Sequence, residues 1–250
     1  MRYLKGFYLS LGMFCAIPLP THLWSDPYMN LAMPCFPLVG ALTGALWWGL
    51  AELLVMSGAP VVLAAALLAV TPFFLTGLLH LDGFMDTSDA ILSRRPLEDK
   101  LRILKDPHAG SFAVIMIAVL FLLQFAAVYA IVERGHDLIL LIIISVLSRC
   151  AAALSILCLK TIAQSSYANA FKQNTGATHK AFILFLTVCA TMLAFLSAGV
   201  AGLIVPAAVI LGYSGAAAYT VKDLGGISGD LAGFSIVTGE LCGLIALALL

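Results

Sequence analysis

Asp82, Asp86 and Asp89 stand at i, i+4 and i+7 in LHLDGFMDTSDA, residues 79–90, between two long apolar segments. On a helix this spacing predicts one acidic stripe spread over roughly 10 Å of axis. Three carboxylates on one stripe repel each other unless a cation lies among them. Hard oxygen donors so spaced suit Mg²⁺, which binds a few carboxylates and keeps positions for phosphate and water. A solvated acidic face on a loop helix is the plain alternative. It is the weaker one here, because carboxylates abutting a membrane span are costly and mark function.

A second cluster, LGGISGDLAGFSIVTGEL at 224–241, sets Asp230 among Gly225, Gly226, Gly229 and Gly233 where the last apolar run begins. Glycine lets backbone approach another helix or a phosphate closely. Helix packing accounts for Gly229 and Gly233, with Gly229 also a candidate substrate contact. It does not account for Asp230, which needs a partner or a metal. Asp106-Pro107-His108 adds a carboxylate at the same level, either as a substrate contact or as a cap before Ser111. Arg102 and Lys105 beside it are placed to hold phosphate, whereas Arg94 and Arg95 suit anionic lipid. His80, directly before the triad, is either an interfacial polar residue or a catalytic group beside Asp82 and Asp86. Arg149 and Glu240 lie in separate apolar runs, both about 15 Å below one membrane face. Equal depth and opposite charge predict a buried pair or a substrate contact. Carboxylates gathered at one level around a cavity are the pattern expected of a divalent-metal pyrophosphate site, which makes Asp82, Asp86, Asp89 and Asp230 candidate metal ligands.

The elements that must position these residues follow from composition. The chain has 250 residues, 62% of them hydrophobic and 10% charged, with a mean hydropathy of +1.06. These values lie far outside the soluble range. They predict an all-α, polytopic membrane bundle forming one catalytic domain over 1–250. The net charge of zero gives no footing for a nucleic-acid partner. Six scattered cysteines with no CxxC pair read as small core residues, neither a disulfide framework nor a zinc site. Seven stretches are long enough to span: 37–56, 61–80, 111–132, 138–159, 181–200, 203–220 and 231–250. The N-terminal run from Gly6 to Pro20 is too short to cross and reads as a retained interfacial or re-entrant segment. With that segment not crossing, every Lys and Arg except Arg134 and Arg149 falls on one side. This asymmetry assigns that side to the cytoplasm. On it, SRRPLEDKLRILKDPH predicts an amphipathic surface helix starting at Pro96, with Leu97, Leu101 and Leu104 on its apolar face.

These segments together resemble the cobalamin synthase (adenosylcobinamide-GDP ribazoletransferase) family of the bacterial inner membrane. The matching pieces are IPLP near the N-terminus, FPLVG at 36–40, HLDGFMDTSDA at 80–90, LKDPHAGSFA at 104–113, Ser148-Arg149, and GGISGDLAGFSIVTGEL at 225–241. The stretch 165–180 matches only loosely and lacks the family's glycine pair. The resemblance implies a Mg²⁺-dependent last step of coenzyme B12 assembly. The ribose 3′-hydroxyl of α-ribazole, or of its 5′-phosphate, attacks the cobinamide-side phosphorus of adenosylcobinamide-GDP, and GMP leaves. It implies small-molecule substrates, a lipid bilayer and a cytoplasm-facing site, and leaves open a homo-oligomer or association with other cobalamin-assembly enzymes. A UbiA-like prenyltransferase is a rival, but its Asn-Asp-x-x-Asp motif and complete second Asp cluster are missing. The Asp-Gly-x-x-Ala-Arg core of the CDP-alcohol phosphotransferases is also absent. A cation transporter would hold its carboxylates nearer the bilayer midplane.

Overall fold

The computed structural model describes residues 2–20, 28–162, 166–173 and 175–250, with backbone only at 166–168. Part of the loosely matching stretch 165–180 therefore lies outside the described residues. Eleven helices follow one another among the described residues: α1 (Arg2–Phe14), α2 (Met29–Met56), α3 (Val61–Leu75), α4 (Leu79–Leu92), α5 (Leu97–Ile103), α6 (Ser111–Arg134), α7 (Leu140–Cys158), α8 (Ser166–Lys172), α9 (Ala177–Gly202), α10 (Ile204–Leu224) and α11 (Gly229–Leu249). Six of them, α2, α6, α7, α9, α10 and α11, are each long and apolar enough to cross a membrane. The chain is a multi-pass membrane protein.

α7 is the central column, buried along most of its length and packed against α2, α9, α10 and α11. Gly40 and Gly44 let α2 lie directly on it. A Cβ at Gly40 would sit 2.6 Å from the Ser145 carbonyl oxygen, and one at Gly44 would sit 2.8 Å from Ile142 Cα. This is the small-xxx-small contact of membrane helices. α2 begins at Met29, eight residues before the span expected from Pro37, and carries Pro34 and Pro37 inside it. α1 has 13 residues, too few to cross, and packs along α2. Cys35 and Cys150 are buried as expected, but Cys158 and Cys189 lie on the exposed outer surface.

The expected second span, 61–80, is broken. α3 stops at Leu75 and the chain turns 91° into α4. The turn is a Schellman motif: Leu78 N–H donates to the Phe73 carbonyl at 2.8 Å and Gly77 N–H to that of Phe74 at 3.1 Å. Gly77 and Leu78 both take positive φ, 61° and 63°. Backbone groups at membrane depth need partners, and here they have them. Ala16 N–H, just past α1, donates to the Leu75 carbonyl at 2.9 Å. Pro72 has no N–H for the Leu68 carbonyl, and Trp47 Nε1 of α2 donates to that oxygen at 2.9 Å instead. Gln124 Nε2 ties α6 to the Ala69 carbonyl at 2.8 Å. The bend swings α4 across α11 instead of continuing the span, so the acidic stripe faces a second helix.

α9 and α10 are separate helices, as expected despite their short connection. α9 breaks at Ala198 and Gly199, the latter at φ 61°, and Leu203 alone joins it to α10.

Candidate active site

α4 carries Asp82, Asp86 and Asp89 on one stripe, as their spacing requires, and α11 brings Asp230 to it. Asp82, Asp89 and Asp230 all lie within electrostatic reach of Asp86, and Asp82 lies within reach of Asp230. Gly83 permits this approach. A Cβ there would sit 2.8–3.2 Å from the backbone of Asp230. Gly83→Val is therefore expected to push α4 off α11, at a cost of about 1–3 kcal/mol. Turnover should fall with the melting temperature of the detergent-solubilised protein. Normal melting and turnover would show that the two helices do not depend on this contact.

Asp82 and Asp230 are exposed, while Asp86 and Asp89 are half-buried. The Asp89 carboxylate presses on Gly110, the residue that caps the N-terminus of α6. Any side chain at 110 would collide with it. A carboxylate at the positive end of a 24-residue helix is electrostatically favoured, so Asp89 is held by α6 as well as by its own helix. Among the described residues, no three His, Cys, Asp or Glu side chains close on one metal-binding point.

The 225–230 segment sets Asp230 in place. Gly225 ends α10 with φ 81°, and Ile227 pairs with the α7–α8 connection: its N–H donates to the Lys160 carbonyl at 2.8 Å, and its own carbonyl accepts from Ile162 N–H at 3.0 Å. Ser228 Oγ caps α11 by accepting from Leu231 N–H at 3.3 Å. Gly233 packs on His80 of α4, while a Cβ at Gly229 would meet nothing within 4 Å among the described residues. Packing thus explains Gly233 and leaves Gly229 open.

The basic flank is placed less tightly. Arg102 is exposed and pairs with Asp99 at 3.4 Å, and Lys105 is exposed beyond the end of α5. Asp106 does not cap α6. It folds the Asp-Pro-His turn, accepting from His108 N–H at 3.0 Å and lying 2.8 Å from His108 Nδ1. These contacts hold its carboxyl below the usual range. Lys100, which was not foreseen as a site residue, is buried and pairs with Asp223 at 2.7 Å, tying α5 to α10.

Arg149 and Glu240 form the expected pair, buried at 2% and 6% exposure. Ser148 Oγ donates to Glu240 at 2.9 Å, and Arg149 Nη1 donates to Ser148 Oγ at 3.0 Å. Above them opens a cavity of about 260 Å³, and the pair lies about one turn below two of its lining residues, Ala152 and Ile236. Neither Arg149 nor Glu240 lines the cavity itself. The rings of Phe14, Phe36 and Phe171 line it, with Gly229, Asp230 and His80. His80 is not interfacial. It is buried, stacked on Phe36 at 6.0 Å between centroids, and within electrostatic reach of Arg149.

The acidic stripe, the glycine-flanked Asp and the buried Arg–Glu pair come from segments spread along the chain, and comparison with known proteins finds a match of similar extent. Residues 6–248 match the family described as cobalamin-5-phosphate synthase. The chain belongs to this family. A curated adenosylcobinamide-GDP ribazoletransferase of Clostridium perfringens is 38% identical over 248 residues, covering 99% of each chain. One from Clostridium botulinum is 37% identical over 98% of this chain and 97% of its own. One from Pseudomonas putida is 32% identical over 97% and 98%. No solved structure matches. Gly83, Gly110 and Gly233 have packing reasons, whereas packing among the described residues does not account for Gly229.

Proposed function

We propose that the chain carries out the final assembly of coenzyme B12, joining adenosylcobinamide-GDP to α-ribazole or its 5′-phosphate. The full-length match to curated ribazoletransferases carries this reading, and it outweighs prenyl transfer or cation transport. The acceptor's ribose 3′-hydroxyl attacks the cobinamide-side phosphorus. A phosphodiester forms, the phosphoanhydride bond breaks, GMP takes its electrons as it leaves, and the hydroxyl's proton passes to solvent.

The donor chemistry of the site fits Mg²⁺: carboxylates within electrostatic reach of one another, two of them open to solvent. An ion that takes one or two carboxylates and completes its shell with phosphate and water needs no closed protein cage. Asp82 and Asp86 would hold it, with Asp230 contributing from α11 and Asp89 in support. When bound, it would neutralise the pyrophosphate and the charge growing on the leaving phosphate. Arg102 and Lys105 draw the anionic donor towards that face. Gly229 leaves its backbone bare beside Asp230, where the reacting groups meet. The buried Arg149–Glu240 pair fixes α7 against α11 beneath them.

The site faces the cytoplasm of a bacterial inner membrane, supported by the crowding of Lys and Arg on the α4–α5 side. A cysteine at Ser93, in a cysteine-free background, is expected to label from the cytoplasmic side; labelling only from the periplasm would overturn the orientation. The activity is tested by purified protein with adenosylcobinamide-GDP, α-ribazole and Mg²⁺. GMP should appear only when all three are present. No GMP, or GMP released equally without α-ribazole, would overturn the proposal.

A further inference from the structure

We infer that the cavity beneath Asp230 binds the bicyclic base of the acceptor nucleoside, with the His80 imidazole donating a hydrogen bond to the base's free ring nitrogen. This rests on the ribazoletransferase reading and adds which substrate fills which space. Three elements bring the rings together. Phe14 closes α1, Phe36 sits on α2 and Phe171 on α8. Phe14 lies 4.4 Å from Phe36 and 6.3 Å from Phe171, centroid to centroid. Such walls take a flat aromatic body by stacking.

The polar complement decides which body. His80 is 5% exposed and lines the cavity, and among the described residues its fully buried Nδ1 has no hydrogen-bond partner. A neutral imidazole carries one N–H and one lone pair; with Nδ1 sealed inside the protein, a ligand in the cavity is met through an N–H at Nε2. Among the described lining residues, the ionisable groups are His80 and the solvent-exposed Asp230. The base of α-ribazole is a dimethylbenzimidazole, flat and apolar with one free ring nitrogen, so one N–H satisfies it. Guanine carries donors and acceptors around most of its edge, and this lining would leave most of them unmet. A corrin ring with its amide side chains is far too large for about 260 Å³. With the base stacked inside, the ribose emerges past Gly229 and Asp230, and its 3′-hydroxyl reaches the carboxylate face where the phosphates lie. His80 is then a positioning and specificity residue. It does not take the hydroxyl's proton, the role its place beside the triad suggested.

The test compares two acceptors on wild-type and His80→Leu protein in nanodiscs: the benzimidazole riboside and its indole counterpart, in which the free nitrogen is a C–H. Wild-type protein is expected to favour the benzimidazole riboside by about tenfold in kcat/KM, and His80→Leu to bring the two within about twofold. The KM for adenosylcobinamide-GDP should not move with His80→Leu. A preference that survives His80→Leu, or a rise in the donor's KM instead of the acceptor's, overturns the inference. Phe171→Ala on the short α8 provides a second reading if His80→Leu does not fold. It should raise the KM of both acceptors together, and a rise in the donor's KM alone overturns the inference. Wild-type protein that releases no GMP with either acceptor would overturn the function along with it. Wild-type activity without His80-dependent discrimination overturns only the subsite.

Discussion

Asp82→Asn and Asp86→Asn are each expected to lower turnover by orders of magnitude at limiting Mg²⁺ while the protein still folds. Both residues lie at least partly open to solvent on α4, and neither has a hydrogen-bond or ion-pair partner among the described residues, so Asn removes charge without leaving a buried group unmet. The loss should be chemical, because the ion and the oriented pyrophosphate go together. Raising Mg²⁺ should recover part of the rate for Asp230→Asn, whose carboxylate is supplied from a second helix, more than for either α4 variant. The measurement is initial GMP release against Mg²⁺ concentration for the wild type and the three variants. Near-normal turnover of Asp82→Asn or Asp86→Asn at limiting Mg²⁺ would remove the acidic stripe from the chemistry.

The largest effect on stability is expected beneath the cavity. Arg149→Ala or Glu240→Ala leaves one buried charge without its partner, a loss of roughly 3–5 kcal/mol in soluble proteins, softened in a bilayer by snorkelling and water defects. Arg149→Ala also removes the Nη1 donor from Ser148 Oγ. Arg149→Leu combined with Glu240→Leu should recover much of the loss, because the charges leave together and apolar volume replaces them. A double-mutant cycle on unfolding in detergent reads this directly. Strong coupling with recovered stability is the expected result. Single losses that simply add would mean that the contact does not carry the stability assigned to it.

The parts of this arrangement that were legible in the sequence are those governed by local periodicity and length. The acidic spacing on α4, the long apolar runs and the non-crossing α1 follow from helix geometry and bilayer thickness. The Arg149–Glu240 pair follows from matched depth in two apolar runs. The bend at 76–78 was hidden because Leu75, Leu78 and Leu79 continue the apolar run through it; Gly77 was the single local signal. The early start of α2 was masked by Pro34 and Pro37, which a packed membrane helix tolerates. Gly40 and Gly44 show the small-xxx-small spacing openly, and that signal could have placed α2 on α7. Lys100–Asp223 and Asp89–Gly110 had no local signal. Each joins segments that only the tertiary fold brings together, so Gly110 of LKDPHAGSFA acquires its reason only once α4 meets α6. The cavity is of the same kind, since its rings come from α1, α2 and α8.

The proposed reaction moves the cobinamide phosphate onto the acceptor's ribose. Following a radioactive phosphorus label placed in the cobinamide-side phosphate of adenosylcobinamide-GDP tests it most directly, in a single turnover with purified protein, α-ribazole and Mg²⁺. The label is expected in the phosphodiester of the cobalamin product, with the released GMP unlabelled. Label in the released nucleotide, or label remaining on cobinamide phosphate with no cobalamin formed, would contradict it.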